Sequence, residues 1–154
     1  GEDEDARTLT DRLAELGGRM AVQTLDLIEA GQARQVGQDH AKATYCKKLK
    51  KEDGRIDWSR SAREIHDQVR ALTIWPGSFT TRNGKIVKVL RTRVVEADSD
   101  APGKPGQIVN LREGFVRCGA GTLKLEQVQP EGARAMNWKD FVNGSSIKEG
   151  DSFD

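Results

Sequence analysis

Apolar residues recur at helical spacing in two places, and at strand spacing between and beyond them. Near the start, Leu9, Leu13, Leu16 and Met20 line one side of a helix that the spacing predicts from Thr8 to about Ala30. Thr8-Leu9-Thr10-Asp11 has the form of a capping box. Gly17 and Gly18 cost this helix about 1 kcal/mol each relative to alanine, and Gly31 stops it. Its stripe needs a partner surface. The second helical signal is shorter and better framed. Ser61-Ala62-Arg63-Glu64 is a capping box, and Ile65, Val69 and Leu72 follow at i, i+4 and i+7. Arg63, Asp67 and Arg70 take the opposite face. Pro76 cannot continue a helix and pushes Trp75 towards an extended backbone, so this helix ends before that pair.

After Pro76 the period shortens. Asn83-Gly84 stands between Phe79-Thr80-Thr81 and Ile86 to Leu90, a strong hairpin signal, with the second strand reaching as far as Val95. On that strand, unbroken alternation puts Lys88 with Ile86 and Leu90, and Arg91 and Arg93 with Val87 and Val89. Residues 98–106 read as a loop punctuated by Pro102-Gly103 and Pro105-Gly106. Short strands are expected at 107–111, 115–118 and 122–129. Asn137 caps a last short helix with Asp140 at its third position and Met136 set to staple against Phe141, and Gly144 closes it. The tail to Asp154 has too little apolar content to fold by itself. The expected class is α+β, mainly β: a small OB-type Greek-key β-barrel of about five strands with short flanking helices, preceded by an N-terminal helix and an extended linker.

Charge changes this picture more than composition does. The chain totals only +1, but residues 1–41 carry −5, residues 42–93 carry +9 and residues 94–154 carry −3. A basic middle hidden between acidic flanks points to a polyanionic partner. Lys47, Lys48, Lys50 and Lys51 form its core, close enough along the chain to follow consecutive phosphates of a nucleic acid. Arg55, Arg60, Arg63 and Arg70, then Lys85, Lys88, Arg91 and Arg93, continue the run. Such contacts position a nucleic acid without reading its sequence. Trp58, Trp75 and Trp138 are potential stacking platforms but read better as core anchors, Trp58 and Trp75 where helix meets barrel. Tyr45, in the arm beside lysines, is the better stacking candidate.

Other chemistry is sparse. Cys46 and Cys118 are far apart and form no CxxC pair, so neither a zinc site nor a disulfide framework is indicated. His40 and His66 have no Ser, Cys or metal partner in the pattern and read as structural or exposed. No apolar run approaches the roughly 18 residues that span a bilayer. A cytoplasmic setting without membrane association is the default.

The segment I-D-W-S-R-S-A-R-E-I-H-D-Q-V-R-A-L-T-I-W-P-G-S-F, residues 56–79, resembles the start of the C-terminal domain of methionyl-tRNA formyltransferases. A-T-Y-C-K-K-L-K-K-E-D-G-R before it resembles their interdomain linker. T-L-T-D-R-L-A-E-L-G, N-G-K-I-V-K-V and L-E-Q-V-Q-P-E-G-A-R-A-M extend the likeness, in order, over nearly the whole chain. The resemblance implies a terminal helix of a missing catalytic domain at 1–31, a basic linker at 32–54 and an OB-like tRNA-binding domain at 55–154. It also implies formyl transfer from 10-formyltetrahydrofolate to the methionine of initiator tRNA. The Asn, His and Asp that catalyse it belong to an N-terminal Rossmann-like domain. This chain alone is then expected to be a non-catalytic, cofactor-free monomer, with initiator tRNA and the missing catalytic domain as partners. Two alternatives remain open: a C-terminal interaction or substrate domain of another folate-dependent formyltransferase, and a stand-alone OB-fold nucleic-acid binder.

Overall fold

The computed structural model describes residue 1, residues 4–95 and residues 102–154, which fall into two compact units, Gly1–Leu49 and Lys50–Asp154. In the first, α1 spans Ala6–Glu29. It starts earlier than the Thr8 box suggested. The Asp5 carboxylate accepts the Thr8 backbone N–H at 2.8 Å, and the Thr8 hydroxyl accepts the Asp5 N–H at 3.1 Å. Thr8 is therefore the third residue of the box, and Asp5 is its cap. The helix runs through Gly17 and Gly18 without a break and gives way at Ala30 and Gly31, whose φ of 69° suits a residue without Cβ. No residue of α1 is buried. Residues 32–49 contain no strand and one 3-10 turn, His40–Lys42, capped by Asp39.

The second unit opens with a 3-10 turn at Lys51–Gly54 and leads through Ile56 and Trp58 into α2, Ala62–Ala71. The Ser61/Glu64 capping box is present, and α2 turns Ala62, Ile65, His66 and Val69 inward. Strands β1 (Ser78–Arg82) and β2 (Lys85–Val95) form the hairpin. Asn83 and Gly84 both adopt positive φ, 52° and 73°, as a two-residue type I′ turn requires. Then come β3 (Ile108–Asn110), β4 (Phe115–Arg117), β5 (Thr122–Pro130), β6 (Met136–Asn137) and α3 (Trp138–Gly144). Asn137 caps α3, its side-chain oxygen accepting the Asp140 N–H. Of the loop expected at 98–106, residues 98–101 lie outside the described residues, and 102–106 lead into β3 without a strand of their own.

The sheet is antiparallel in the order β1-β2-β5-β4-β3, with β6 added to β5. The hairpin-connected run β3-β4-β5, with β2 lying beside β5, is a Greek key. The class is α+β and mainly β. The C-terminal tail does not need to fold alone, because it docks across the two ends of this order. Phe153 N–H donates to the Gly106 carbonyl and Asp154 N–H to the Thr81 carbonyl, each at 2.9 Å, while Ser152 bridges Gln107. Ile147 and Phe153 supply the tail's buried apolar surface.

Two tryptophans anchor the core. Trp58 stacks on Phe153 at 5.8 Å between ring centroids and donates its indole N–H to the Thr80 hydroxyl at 3.0 Å. Trp138 donates to the Leu111 carbonyl at 2.7 Å. Trp75 departs from the core-anchor expectation and stands 53% exposed, beside Ile74 at 56%. The reason is local. α2 ends at Ala71, Leu72 turns inward, and the Gly77 N–H closes back on the Leu72 carbonyl at 3.0 Å, so residues 73–76 loop outward.

The faces of β2 also differ from simple alternation. Val87 and Val89 are buried, and so is Thr92, three positions on. Leu90 and Glu126 are both passed over in the β2–β5 pairing, so each strand shifts phase there. Arg91 and Arg93 consequently lie with Lys88 on the outer face, not with Val87 and Val89.

Candidate nucleic-acid interface

The twelve basic residues singled out above separate into two electrostatic groups. Arg60 pairs with Glu64 at 3.2 Å, and Arg63 and Arg70 share Asp67 at 3.5 and 2.8 Å. Arg91 and Arg93 each reach one oxygen of Glu126, at 3.1 and 3.2 Å. Two of the acidic partners, Glu64 and Asp67, are held in the ionised form. Hydrogen bonds from Ser61, then from Arg60, hold Glu64 down to about 2, and the Arg70 hydrogen bond lowers Asp67. Lys47, Lys48, Lys50, Lys51, Arg55, Lys85 and Lys88 are exposed and form no ion pair among the described residues. The five paired arginines share three carboxylates, so their charge is partly compensated. The seven others keep their full charge for an incoming anion. Exposed pairs are worth only about 0–1 kcal/mol, so a phosphate can still displace a carboxylate from the arginines.

Backbone contacts gather part of the unpaired group. Lys47 and Lys48 close the first unit, and Lys50 and Lys51 open the second. Within the second unit, the Gln68 side-chain amide donates to the Asp53 and Arg55 carbonyls at 3.0 Å each, fastening the 3-10 turn to α2. Gly54 packs so closely that a Cβ there would strike the Gly77 carbonyl. The lysine-bearing turn is thus pressed against the turn that carries Trp75. Arg55 bridges Phe79 in parallel, and Phe79 pairs with Lys88, so Arg55, Phe79 and Lys88 form a lateral row. Lys85 stands apart, at the tip of the hairpin.

Sequence reasoning missed three contributors. Gln68 and the Gly54–Gly77 contact fix the lysine turn, and nothing in their spacing announces it. Trp75 was visible but assigned to the interior. Tyr45, by contrast, is 94% exposed in the first unit, where the arm reading placed it.

The remaining titratable candidates lie elsewhere in the fold. His66 is buried on α2 with Nδ1 3.0 Å from the Thr92 hydroxyl, and His40 lies in the first unit's 3-10 turn. Cys46 is exposed, whereas burial raises the Cys118 thiol to about 12. The cleft beside α3, about 550 Å³, is lined by Pro130, Arg134, Met136, Phe141 and Ser145 among others and includes neither histidine. Among the described residues no helix is long and apolar enough to cross a membrane.

Residues 48–146 match the family model described as formyl transferase, C-terminal domain. A methionyl-tRNA formyltransferase of Sulfurihydrogenibium sp. (strain YO3AOP1) is 40% identical over 156 residues, covering 99% of this chain and 50% of the relative. The protein of that name from Anaeromyxobacter sp. (strain K) is 47% identical over 147 residues, covering 93% and 47%. The chain thus spans about half the length of the curated relatives it matches. Among solved structures, one variant of HypX from Aquifex aeolicus superposes with a TM-score of 0.68 at 18% identity, over 97% of this chain and 28% of that one. Another variant gives 0.62 at 19% identity, over 84% and 23%. At that identity the likeness concerns the fold alone.

Proposed function

This chain belongs to the formyl transferase C-terminal domain family, and from that premise we propose that it is the carboxy-terminal part of a methionyl-tRNA formyltransferase, with the task of holding the sugar–phosphate backbone of initiator tRNA. The observation that carries this reading is the unpaired basic group. Lys47, Lys48, Lys50, Lys51, Arg55, Lys85 and Lys88 keep uncompensated charge in a chain whose total is only +1. Lysines on neighbouring positions release counterions from consecutive phosphates and read no base. The Greek-key order, closed by the tail, is the arrangement we assign to an OB-type barrel, a fold suited to nucleic-acid chains.

Formyl transfer from 10-formyltetrahydrofolate to methionine on the tRNA belongs, in this reading, to the part of the relatives that this chain does not span. His66 packs against Thr92 within the domain core. The exposed stripe of α1 is the surface that the catalytic part covers, and the protein works in the cytoplasm during translation initiation.

A fluorescence-anisotropy titration against initiator tRNA, an elongator tRNA and a non-nucleic polyanion, repeated across salt concentrations, tests the reading. Both tRNAs should bind with little discrimination and a steep salt slope. Replacing Lys47, Lys48, Lys50 and Lys51 by alanine should weaken binding at least about tenfold and flatten the slope of log K against log salt by about 3. An unchanged slope removes the lysines from the site. Absence of tRNA binding at low salt would favour an interaction domain of another formyltransferase.

A further inference from the structure

The most exposed aromatic of the second unit sits beside its most concentrated unpaired charge. Trp75 has no ring or cation–π partner among the described residues, unlike Trp58 and Trp138, whose rings pack against Phe153 and Phe141 in the core and whose indole N–H groups are both engaged. The turn that carries it is braced from below by the buried Leu72, by the Gly77-to-Leu72 hydrogen bond and by the contact of Gly77 with Gly54. Gly54 ends the turn that begins at Lys51, so the indole and the Lys50–Lys51–Arg55 cations stand on adjoining, mutually fastened segments.

We propose that Trp75 is a stacking platform for an unpaired nucleotide base, so that one single-stranded RNA segment lays a base on the indole while its phosphates lie on Lys50, Lys51 and Arg55. The proposal rests on the RNA-holding reading above and adds to it a preference for single strands. Two physical points favour RNA over a protein surface here. Among the described residues of the second unit, the exposed large apolar side chains are Ile74 and Trp75, far short of the roughly 800 Å² per partner of a stable protein interface. Lys50, Lys51 and Arg55 beside it form no ion pair among the described residues, and with Glu52 and Asp53 on the same turn the segment still carries a net positive charge, which a desolvating protein contact would penalise and a phosphate chain would neutralise. An aromatic face combined with a basic track is how proteins hold single strands without reading sequence. A duplex hides its base faces within the stack, so only an unpaired segment can use the indole.

The test uses the whole chain with two probes, an oligouridylate of about 12 nucleotides and an RNA duplex of matched charge. Tryptophan emission should be quenched by the oligouridylate and much less by the duplex, because Trp58 and Trp138 are shielded in the core. Trp75→Ala should abolish that quenching and lower single-strand affinity about tenfold with the salt slope unchanged. Duplex affinity should change less than twofold, and Trp75→Phe should retain most single-strand affinity. Lys50→Ala with Lys51→Ala should instead weaken both probes and flatten both slopes. If Trp75→Ala binds the oligouridylate as tightly as the parent while the lysine variant weakens it, the stacking site is wrong and the RNA-holding reading stands. If the indole answers a catalytic half added in trans but neither RNA, the surface is a protein contact and the proposal falls. If neither probe binds the parent chain at all, the reading of the domain falls with it.

Discussion

Helices α1 and α2 both show apolar residues at i, i+4 and i+7, yet α2 buries Ala62, Ile65, His66 and Val69 in 10 residues while α1 buries none in 24. Both open with a reciprocal capping box, Asp5 with Thr8 and Ser61 with Glu64. Capping and periodicity therefore set where each helix begins and which side is apolar. They do not say whether that side is covered. Coverage comes from residues distant in sequence. Thr92 of β2 meets His66, and Val87, Leu123, Leu125 and Val128 share the core cluster with Ile65 and Val69. Helices gain most of their stability from such packing rather than from propensity.

The largest expected contrast is in the stripes themselves. Ile65→Ala empties a fully buried site and should cost about 2–5 kcal/mol of unfolding free energy, read by urea denaturation. Leu13→Ala removes a side chain that is 53% exposed and should move the same transition by no more than about 0.5 kcal/mol. A large loss from Leu13→Ala would show that α1 has a cover within this chain.

A smaller contrast comes from the caps. Ser61→Ala should lower the cooperative transition by about 1 kcal/mol, because α2 is part of the core. Asp5→Ala removes an equivalent cap, but its effect should appear as faster amide exchange in the first turn of α1 with an unchanged main transition. Equal shifts from both would join the two helices into one cooperative unit.

The smallest effect is the pH dependence of the α2 box. Glu64 is held from its ordinary 4.5 down to about 2 by Ser61 and then Arg60. A depressed carboxylate favours the folded state once ionised, so its contribution is fully present above pH 4.5 and is lost as pH falls through about 2. Glu64→Gln should flatten that acid limb of the stability curve. An unaltered limb would assign the acid sensitivity to other lowered carboxylates, among them Asp67, held down by its hydrogen bond from Arg70, and Asp151, held down by its hydrogen bond from Arg82.

Much of the fold was legible because it is written in local chemistry. The Asn83-Gly84 turn, the Ser61/Glu64 box, the Asn137 cap and the strand at 122–129 all depend on residues within a few positions of one another. The candidate interface was only half legible. Its basic residues can be counted from the chain, but ionic partnership cannot. Glu126 faces Arg91 and Arg93 only because β5 pairs with β2, 33 or more positions along the chain. Trp75 was misplaced for a related reason. An aromatic before proline looks like an anchor, and only the closure of Gly77 on Leu72 turns it outward.

By itself, then, the sequence determined the helices and their caps, the hairpin, the mainly-β class and the uneven spread of charge, since each follows from short-range sterics, hydrogen bonding or composition. Tertiary structure decided which stripe is covered, which arginines are paired, and that the tail bridges β1 and the entry to β3. It also decided that Arg91 and Arg93 join Lys88 on the outer face, because skipping Leu90 and Glu126 reverses the phase of both strands. Phase in a sheet is a property of a pair of strands, and a single strand's alternation cannot contain it.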